Sequence, residues 1–285
     1  MNVHGDQTRS ASDVGAARVL ARRRQDLILD EVQRRGAVRV SELTEMFRVS
    51  DMTIRRDLDT LASAGVVHKV HGGATTTDSR STDEPGFEAK SHRQQAEKRA
   101  IAAAAATMIQ PGTAIGVTAG TTTWRLAHLL VDVADLIVVT NSVRVAEVLH
   151  QAKRSDLTVV LTGGVRTPSD ALVGPVAVNA LRSLHVDMVF MGVHGMTERT
   201  GFTTPNLMEA ETNRAFVDCA QRLVVIADHT KWGLRGLSSI VPLADADTVV
   251  CDRGISSEAR DVLQNNVRSL VVVDSIASSN VYLRR

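Results

Sequence analysis

Beyond Pro111, seven short runs of apolar, largely β-branched residues alternate with helical segments, and this alternation limits the fold more than any other feature. Each run is nearly continuous in apolar residues, as expected of strands in a parallel sheet that is covered on both faces. Strands alternating with helices build right-handed βαβ units. The sequence therefore predicts an α/β domain over residues 87–285, with strands at 114–118, 136–140, 157–162, 187–191, 223–227, 248–251 and 270–273.

The first part of the chain has the pattern of a smaller domain. Apolar residues at helical spacing predict a helix over 18–35, and Ser41 is a suitable N-cap for a second helix. Ser50 or Asp51 can cap a third, and a β-rich stretch with a Gly-Gly turn completes a winged helix-turn-helix. A long helix is predicted for about 88–109. The predicted divisions are a flexible arm at 1–17, the winged helix-turn-helix domain at 18–75, a Thr/Ser-rich linker at 76–86 and the α/β domain at 87–285.

Composition limits the possible partners. The 285 residues suffice for two separate cores, and the net charge of +1 argues against coating nucleic acid by charge alone. The two cysteines, Cys219 and Cys251, have no partner at metal-binding spacing, so we expect no disulfide framework, metal or cofactor. The sequence shows neither a signal peptide nor an apolar run long enough to span a bilayer, so we expect no membrane partner and a cytoplasmic location.

The third helix is the predicted DNA-reading element. Ile54, Leu58 and Leu61 form its apolar face, which leaves other side chains near its N-terminal end directed away from the core. Arginine can bind a guanine edge with two parallel hydrogen bonds, and wing residues commonly contact phosphates. A solvated basic helix face remains the alternative, whereas a metal site between the two wing histidines is disfavoured by their spacing. The predicted DNA-binding residues are Ser50, Met52, Thr53, Arg55, Arg56, His68, Lys69 and His71.

Small polar residues follow five of the predicted strands. Ligands of open parallel sheets lie outside the carboxyl ends of the strands, so these residues predict a crevice of hydroxyl, amide and cationic groups. Such groups, together with backbone N–H groups at a helix N-terminus, suit a small polar anion. Helix capping is the alternative for the Gly-Thr-Thr turn, and His194 and His229 are equally compatible with ordinary loop positions. The predicted effector-binding residues are Gly120, Thr121, Thr122, Thr123, Asn141, Ser142, Gly163, Gly164, Asp228 and Lys231.

The N-terminal motifs resemble the DeoR family of bacterial sugar-responsive regulators. The matching pieces are VSEL at 40–43, FRVS at 47–50, TIRRDL at 53–58, Gly65 and HGGA at 71–74. The resemblance implies a winged helix-turn-helix in which Thr53, Arg55 and Arg56 lie in or beside the major groove. It also implies a repressor, since most members of the family are repressors.

The C-terminal part resembles the effector domain of the same family. The matching pieces include GTT at 120–122, TNS at 140–142, GG at 163–164, GFT at 201–203 and DHTKWG at 228–233. The resemblance implies a fold similar to that of ribose-5-phosphate isomerase, a phosphate at the Gly120–Thr123 turn, and a sugar near Asn141, Ser142, Asp228 and Lys231. Two positions depart from the family pattern, Thr118-Ala119 before the turn and Lys90 where arginine is usual.

Two functions are compatible with this organisation. The first is a transcriptional regulator of a carbohydrate-metabolism operon that binds double-stranded DNA as a homo-oligomer, dimer or tetramer, and responds to a phosphorylated sugar. The second is a sugar-phosphate isomerase-like enzyme, for which Asp228, Lys231, His194 and Asp252 would be the candidate acid-base groups. A separate DNA-binding module is unexpected in a metabolic enzyme, so we expect a regulator without catalytic residues. The sequence leaves open whether the effector acts as inducer or co-repressor.

Overall fold

The computed structural model describes residues 11–35, 37–64, 66–70, 72–76 and 86–274. The chain divides into two compact units, Met1–Ser79 and Arg80–Arg285. Most of the predicted linker and the first ten residues of the predicted arm lie outside the described residues, as do Gly65 and His71. No helix in the described part of the chain is long and apolar enough to cross a membrane.

The N-terminal unit is a three-helix domain with a small antiparallel sheet. Its strand order is β1-β3-β2. Residues Ile28, Val32, Leu43, Ile54 and Leu58 are among those that form its core. In chain order the elements are α1 (Ala11–Arg35), β1 (Ala37–Arg39), α2 (Val40–Phe47), α3 (Asp51–Ser63), β2 (Val67–Val70) and β3 (Gly73–Thr76).

Two helix starts differ from the sequence prediction. Helix α1 begins at Ala11 rather than at residue 18, since the intervening segment is rich in alanine, which has the highest helix propensity. Helix α2 begins at Val40, with Arg39 rather than Ser41 at the N-cap. There the Arg39 backbone N–H donates to the Glu42 carboxylate at 3.4 Å, so a residue of the first turn caps the helix in place of a serine hydroxyl. The Ser50 cap of α3 is confirmed.

The C-terminal unit contains the predicted parallel sheet. All seven strands are present, and neighbouring strands pair in parallel in the order β15-β14-β12-β9-β4-β5-β6. Predicted and observed strand ends differ by at most one residue. The strands are β4 (Ala114–Val117), β5 (Leu136–Thr140), β6 (Leu157–Leu161), β9 (Met188–Met191), β12 (Leu223–Ile226), β14 (Thr248–Asp252) and β15 (Leu270–Val273).

Helices cover both faces of this sheet, and alternate residues of one strand belong to opposite cores. Met188 and Phe190 of β9 pack with α5, α6 and α7, whereas Val189 and Met191 pack with α8, α9 and α10. The helices are α4 (Phe87–Ser91), α5 (Gln95–Ala106), α6 (Thr121–Leu130), α7 (Val143–Gln151), α8 (Pro175–Leu181), α9 (Leu207–Asp218) and α10 (Ser257–Asn266).

The single helix predicted for residues 88–109 is wrong. The chain forms α4 and α5 instead, with a turn at residues 92–94 in which Gln94 adopts a left-handed conformation with φ of 48°. Two small antiparallel sheets complete the unit. One pairs β7 (Val165–Arg166) with β8 (Leu172–Val173), and the other has the order β10-β11-β13, formed by Gly195–Thr197, Gly201–Thr204 and Ser238–Ser239.

Candidate functional site

Helix α3 presents a polar, partly basic surface at its N-terminal end. The Ser50 hydroxyl accepts a hydrogen bond from the Thr53 backbone N–H at 3.3 Å and lies 2.8 Å from the Thr53 hydroxyl. Met52 is 67% exposed, and Arg55 and Arg56 are also exposed. These side chains have the accessibility that contact with a DNA groove requires.

Arg55 forms an ion pair one helical turn away. Its Nε donates to the Asp51 carboxylate at 3.0 Å, and both side chains are about half exposed. Exposed pairs of this kind contribute only about 0.3–0.5 kcal/mol, so exchanging this partner for a base or a phosphate costs little.

Asp57 is the residue in this helix that the sequence reasoning missed. It is buried, and its carboxylate accepts hydrogen bonds from Arg24 Nε at 2.6 Å and Gln25 Nε2 at 2.8 Å. Both donors belong to α1, so the pair of bonds fixes the reading helix against the first helix. A sequence signal existed, because position 57 lies on the same helical face as Ile54, Leu58 and Leu61.

The predicted wing is formed by β2 and β3. A Cβ at Gly73 would lie 2.1 Å from the Val38 carbonyl oxygen of β1, so only glycine permits this close pairing. Lys69 is exposed and pairs with Asp59 of α3. His68 pairs through its backbone with Thr75, whereas His71 lies outside the described residues.

The Gly120–Thr123 segment begins α6 directly after β4. Thr121, Thr122 and Thr123 are buried, and the Thr123 hydroxyl donates to the Gly120 carbonyl at 2.9 Å. The first backbone N–H groups of a helix have no partner within the helix. This turn therefore has the polarity that an anion requires.

Asn141 and Ser142 follow β5 and have structural partners. The Asn141 side chain accepts from the Ala119 backbone N–H at 2.9 Å and donates to the Leu172 carbonyl at 3.1 Å. It thus ties the end of β4 to β8. The Ser142 hydroxyl accepts from the Val145 N–H at 3.2 Å and caps α7.

Gly163 and Gly164 have positive φ angles of 73° and 123°. A Cβ at Gly164 would lie 2.6 Å from the Val173 carbonyl oxygen, across the β7–β8 pair. The requirement for glycine at position 164 therefore follows from the close approach of these strands, independently of any ligand.

Asp228 follows β12 and is 1% exposed. Its Oδ1 accepts from the Thr230 backbone N–H at 3.1 Å and from the Thr230 hydroxyl. Its Oδ2 has no hydrogen-bond partner among the described residues, and Lys98 Nζ lies 3.7 Å away. Lys231, in the same loop, is half-buried. A buried acceptor without a donor is costly, which favours a ligand with hydroxyl groups at this position.

Lys98 was not predicted as part of the site. Its ammonium is buried, and burial lowers its pKa to about 8, although the Asp228 carboxylate opposes this shift. The nearby cations Lys231, Arg125 and Arg93 lower the pKa further. This concentration of positive charge around one carboxylate suits an anionic ligand.

His229 and Asp252 form a second pair at the same edge of the sheet. His229 Nδ1 lies 2.7 Å from the buried Asp252 carboxylate, which also accepts from the His229 and Gly254 backbone N–H groups. Burial raises the pKa of Asp252, but the hydrogen bond from His229 and the His229 charge bring it below its ordinary value. His194, by contrast, is held by its backbone N–H, which donates to the Thr203 carbonyl at 3.1 Å.

Two family models match most of the chain. A model described as the DeoR-like helix-turn-helix domain matches residues 24–80, and one described as the DeoR C terminal sensor domain matches residues 93–253. The chain belongs to the DeoR family. It is therefore a DNA-binding transcriptional regulator with a sensor domain, and the alternative of an isomerase-like enzyme is wrong.

Similar proteins are matched over nearly their whole length. The regulator YgbI of Escherichia coli K12 is 35% identical over 250 residues, which cover 87% of this chain and 96% of the relative. The regulator GlpR of Haloferax volcanii is 32% identical, with coverage of 84% and 91%. The L-fucose operon activator of Haemophilus influenzae is 30% identical, with coverage of 81% and 92%.

Solved structures resemble only part of the chain. Ribose 5-phosphate isomerase A of Methanocaldococcus jannaschii is 17% identical with a TM-score of 0.35, covering 47% of this chain and 53% of that one. The eIF2B delta subunit of Chaetomium thermophilum is 16% identical with a TM-score of 0.37, covering 50% of each chain. Similarity at this level assigns no function to this DeoR-family regulator.

Proposed function

We propose that this DeoR-family regulator represses a carbohydrate-metabolism operon in the cytoplasm and that a phosphorylated sugar controls its affinity for DNA. The buried Oδ2 of Asp228 faces Lys98 and accepts no hydrogen bond from the residues that the structure describes; this is the observation that carries the ligand part of the proposal. The family assignment supports the DNA part.

The exposed N-terminal end of α3 is the proposed DNA contact. Met52, Thr53, Arg55 and Arg56 would reach base edges in the major groove, and Lys69 would contact the phosphate backbone from the wing. Ser50, His68 and His71 complete the proposed contacts. A symmetric pair of such domains would read two half-sites, so we propose a homo-oligomer, dimer or tetramer, as the functional unit.

The chemistry of the crevice suits a sugar phosphate. Backbone N–H groups of the α6 first turn at Gly120–Thr123 would bind the phosphate, as helix N-termini do for anions. Asp228 Oδ2 would accept a proton from a sugar hydroxyl, and Lys231 would supply positive charge. The Ser142 hydroxyl would lie near the sugar, and Asn141, Gly163 and Gly164 would shape the surrounding wall.

The sign of regulation is proposed from the tendency of the family. A relative named as an activator belongs to the same family, so repression and activation are both compatible with this architecture. Whichever holds, a ligand that prefers the DNA-free form must weaken DNA binding by the same factor by which DNA weakens ligand binding.

A thermal-shift screen against pentose and hexose monophosphates tests the ligand part. A sugar phosphate at 100 times its dissociation constant should add about 2.7 kcal/mol to the free energy of unfolding. Asp228→Asn, which replaces one acceptor oxygen by a donor of the same shape, should abolish the shift. The exposed Asp261→Asn is the matched control and should keep it. A panel that gives no shift with the unaltered chain would contradict the ligand part.

Binding to the DNA upstream of the chain's own gene tests the DNA part. Arg56→Ala should weaken binding by about 1–3 kcal/mol, whereas Arg199→Ala, an exposed arginine of the C-terminal unit, should leave it unchanged. Equal affinity of the Arg56→Ala chain and the unaltered chain would contradict the proposed role of α3.

A further inference from the structure

The Lys98 ammonium contacts two different parts of the C-terminal unit. Nζ donates to the Lys90 carbonyl at 3.0 Å and to the Arg93 carbonyl. On the other side it faces Asp228 Oδ2 at 3.7 Å, beyond hydrogen-bond distance. The side chain is only 4% exposed, so water does not replace these partners. One buried ammonium thus connects α4 and the turn behind it to the proposed ligand site.

Helix α4 is the first described element after the predicted linker at 76–86, and contacts to neighbouring elements hold it. Glu88 forms an ion pair with Arg144 of α7 at 2.9 Å, and the Arg144 guanidinium lies 5.1 Å from the centre of the Phe87 ring. The Phe87 backbone N–H donates to the Pro168 carbonyl at 3.2 Å, and the Phe87 ring packs edge-on against Trp124. Lys90 Nζ donates to the Ser169 hydroxyl at 2.9 Å. Because α4 is only five residues long, it has little stability of its own and depends on such contacts, among them the bond from Lys98 to the Lys90 carbonyl near its C-terminal end.

On the side of Lys98 that faces the proposed ligand, the Asp228 carboxylate lacks a hydrogen-bond donor for one of its oxygens among the described residues. This oxygen is Oδ2, and Lys98 Nζ lies too far away from it for a hydrogen bond. A ligand hydroxyl that donates to Oδ2 would weaken the attraction between this oxygen and Lys98. A ligand anion that accepts from Nζ would draw the ammonium away from the two carbonyls.

We propose that Lys98 is the positioning residue that couples occupation of the crevice to helix α4. Ligand binding redistributes the hydrogen bonds of Lys98 between the crevice and the Lys90 and Arg93 carbonyls, and this changes how firmly α4 is held. The affinity of the full chain for its operator is the functional readout of this change. The inference rests on the proposed function, since it requires a ligand at Asp228.

The electrostatics of Lys98 agree with such a role. Burial lowers its pKa to about 8, so near neutral pH its charge responds to its surroundings more than that of an exposed lysine. Asp228 favours the charged form, whereas Lys231, Arg125 and Arg93 disfavour it. The negative charge of a bound phosphate would favour the protonated form of Lys98.

Hydrogen exchange of the full chain tests the coupling. The measured amides are those of residues 87–94, with and without each sugar monophosphate that gives a thermal shift. In the unaltered chain, the binding sugar phosphate should change their exchange rates. Lys98→Met removes a group beside the ligand, so it should bind the sugar phosphate more weakly than the unaltered chain. At concentrations that saturate its thermal shift, the ligand-dependent change in exchange should disappear and operator release should be lost. The control Lys153→Met, an exposed lysine, should behave as the unaltered chain.

Three outcomes separate the coupling from the proposed function. If Lys98→Met keeps both the ligand-dependent exchange and operator release, the coupling role is overturned while the ligand site stands. If no sugar phosphate shifts the unaltered chain, the proposed function fails and the coupling fails with it. Without ligand, Lys98→Met should speed exchange at 87–94 at least about tenfold relative to Lys153→Met, because two bonds from a charged donor are lost; equal rates would contradict the anchoring.

A variant closer to lysine guards against loss of folding. Lys98→Gln keeps two N–H donors without the charge, so it should fold if Lys98→Met does not. We expect Lys98→Gln to hold α4 partly. The ligand should change hydrogen exchange at residues 87–94 less in this variant than in the unaltered chain. A change as large as in the unaltered chain would contradict a role for the ammonium.

Discussion

Replacing Asp57 by alanine should destabilise helix α3 without removing any group that is proposed to touch DNA. The buried carboxylate accepts two hydrogen bonds from α1, at 2.6 and 2.8 Å. Hydrogen bonds to charged groups contribute about 1.5–3 kcal/mol each. Arg24 keeps 18% of its side chain exposed, so water can partly replace its lost partner. We therefore expect a loss near the lower end of the summed range, about 3 kcal/mol.

Hydrogen exchange of the α3 amides measures this loss directly. A decrease of about 3 kcal/mol corresponds to roughly a hundredfold faster exchange, since each factor of ten is about 1.4 kcal/mol. Amides of the sheet in the C-terminal unit serve as the internal control and should not change. The neighbouring variant Arg56→Ala is the matched control, because it should leave α3 exchange unchanged while weakening DNA binding.

Two results for Asp57→Ala and Arg56→Ala would contradict these expectations for α3 exchange. If Asp57→Ala left α3 exchange within about twofold of the unaltered chain, the bonds to Arg24 and Gln25 would not hold the helix. If Arg56→Ala accelerated exchange as strongly as Asp57→Ala, the division between a DNA-facing arginine and a core-facing aspartate would be wrong.

Three other perturbations have defined outcomes. Asn141→Ala removes the partner of the buried Ala119 N–H and of the half-buried Leu172 carbonyl, so calorimetry should show a loss of about 2–4 kcal/mol and a Tm lower by several degrees. Gly164→Ala places a Cβ 2.6 Å from the Val173 carbonyl, so amides of the β7–β8 pair should exchange faster while the main sheet is unchanged. Because folding lowers the Lys98 pKa from 10.5 to about 8, the folded chain binds fewer protons than the unfolded chain in that window. The free energy of unfolding should therefore rise between pH 8 and 10.5, by up to about 3 kcal/mol, and Lys98→Met should flatten this rise in denaturant titrations.

The strands of the large sheet could be predicted because their signal is local. Each is a short apolar run that is buried on both faces, as Met188–Met191 shows. The break between α4 and α5 could not be predicted in the same way. Residues 87–95 contain no proline or glycine that would end a helix, but the Lys98 ammonium binds the carbonyls of Lys90 and Arg93 and fixes the turn. That interaction depends on tertiary packing.

In the candidate site, too, some residues could be predicted from local sequence, whereas others depend on tertiary packing. The Gly-Thr-Thr turn at 120–122 and the Asp228 loop could be placed at strand ends from the sequence, because parallel strands bring their carboxyl ends to one edge. Asp57 and Lys98 are not among the predicted site residues. Both occupy apolar-face positions of their helices, Lys98 with Ile101, Ala102 and Ala105. A charged residue on the apolar face of a predicted helix therefore indicates a buried side chain with a partner of opposite charge or a hydrogen-bonding partner.

Reciprocal linkage between sugar phosphate and DNA tests the central claim most directly. The measurement is the dissociation constant of the upstream DNA fragment with and without a saturating sugar phosphate, and that of the sugar phosphate with and without saturating DNA. The account predicts that the two ratios are equal and differ from one. A sugar phosphate that binds the chain while both ratios equal one would contradict it, as would equal affinity for the upstream fragment and random duplex.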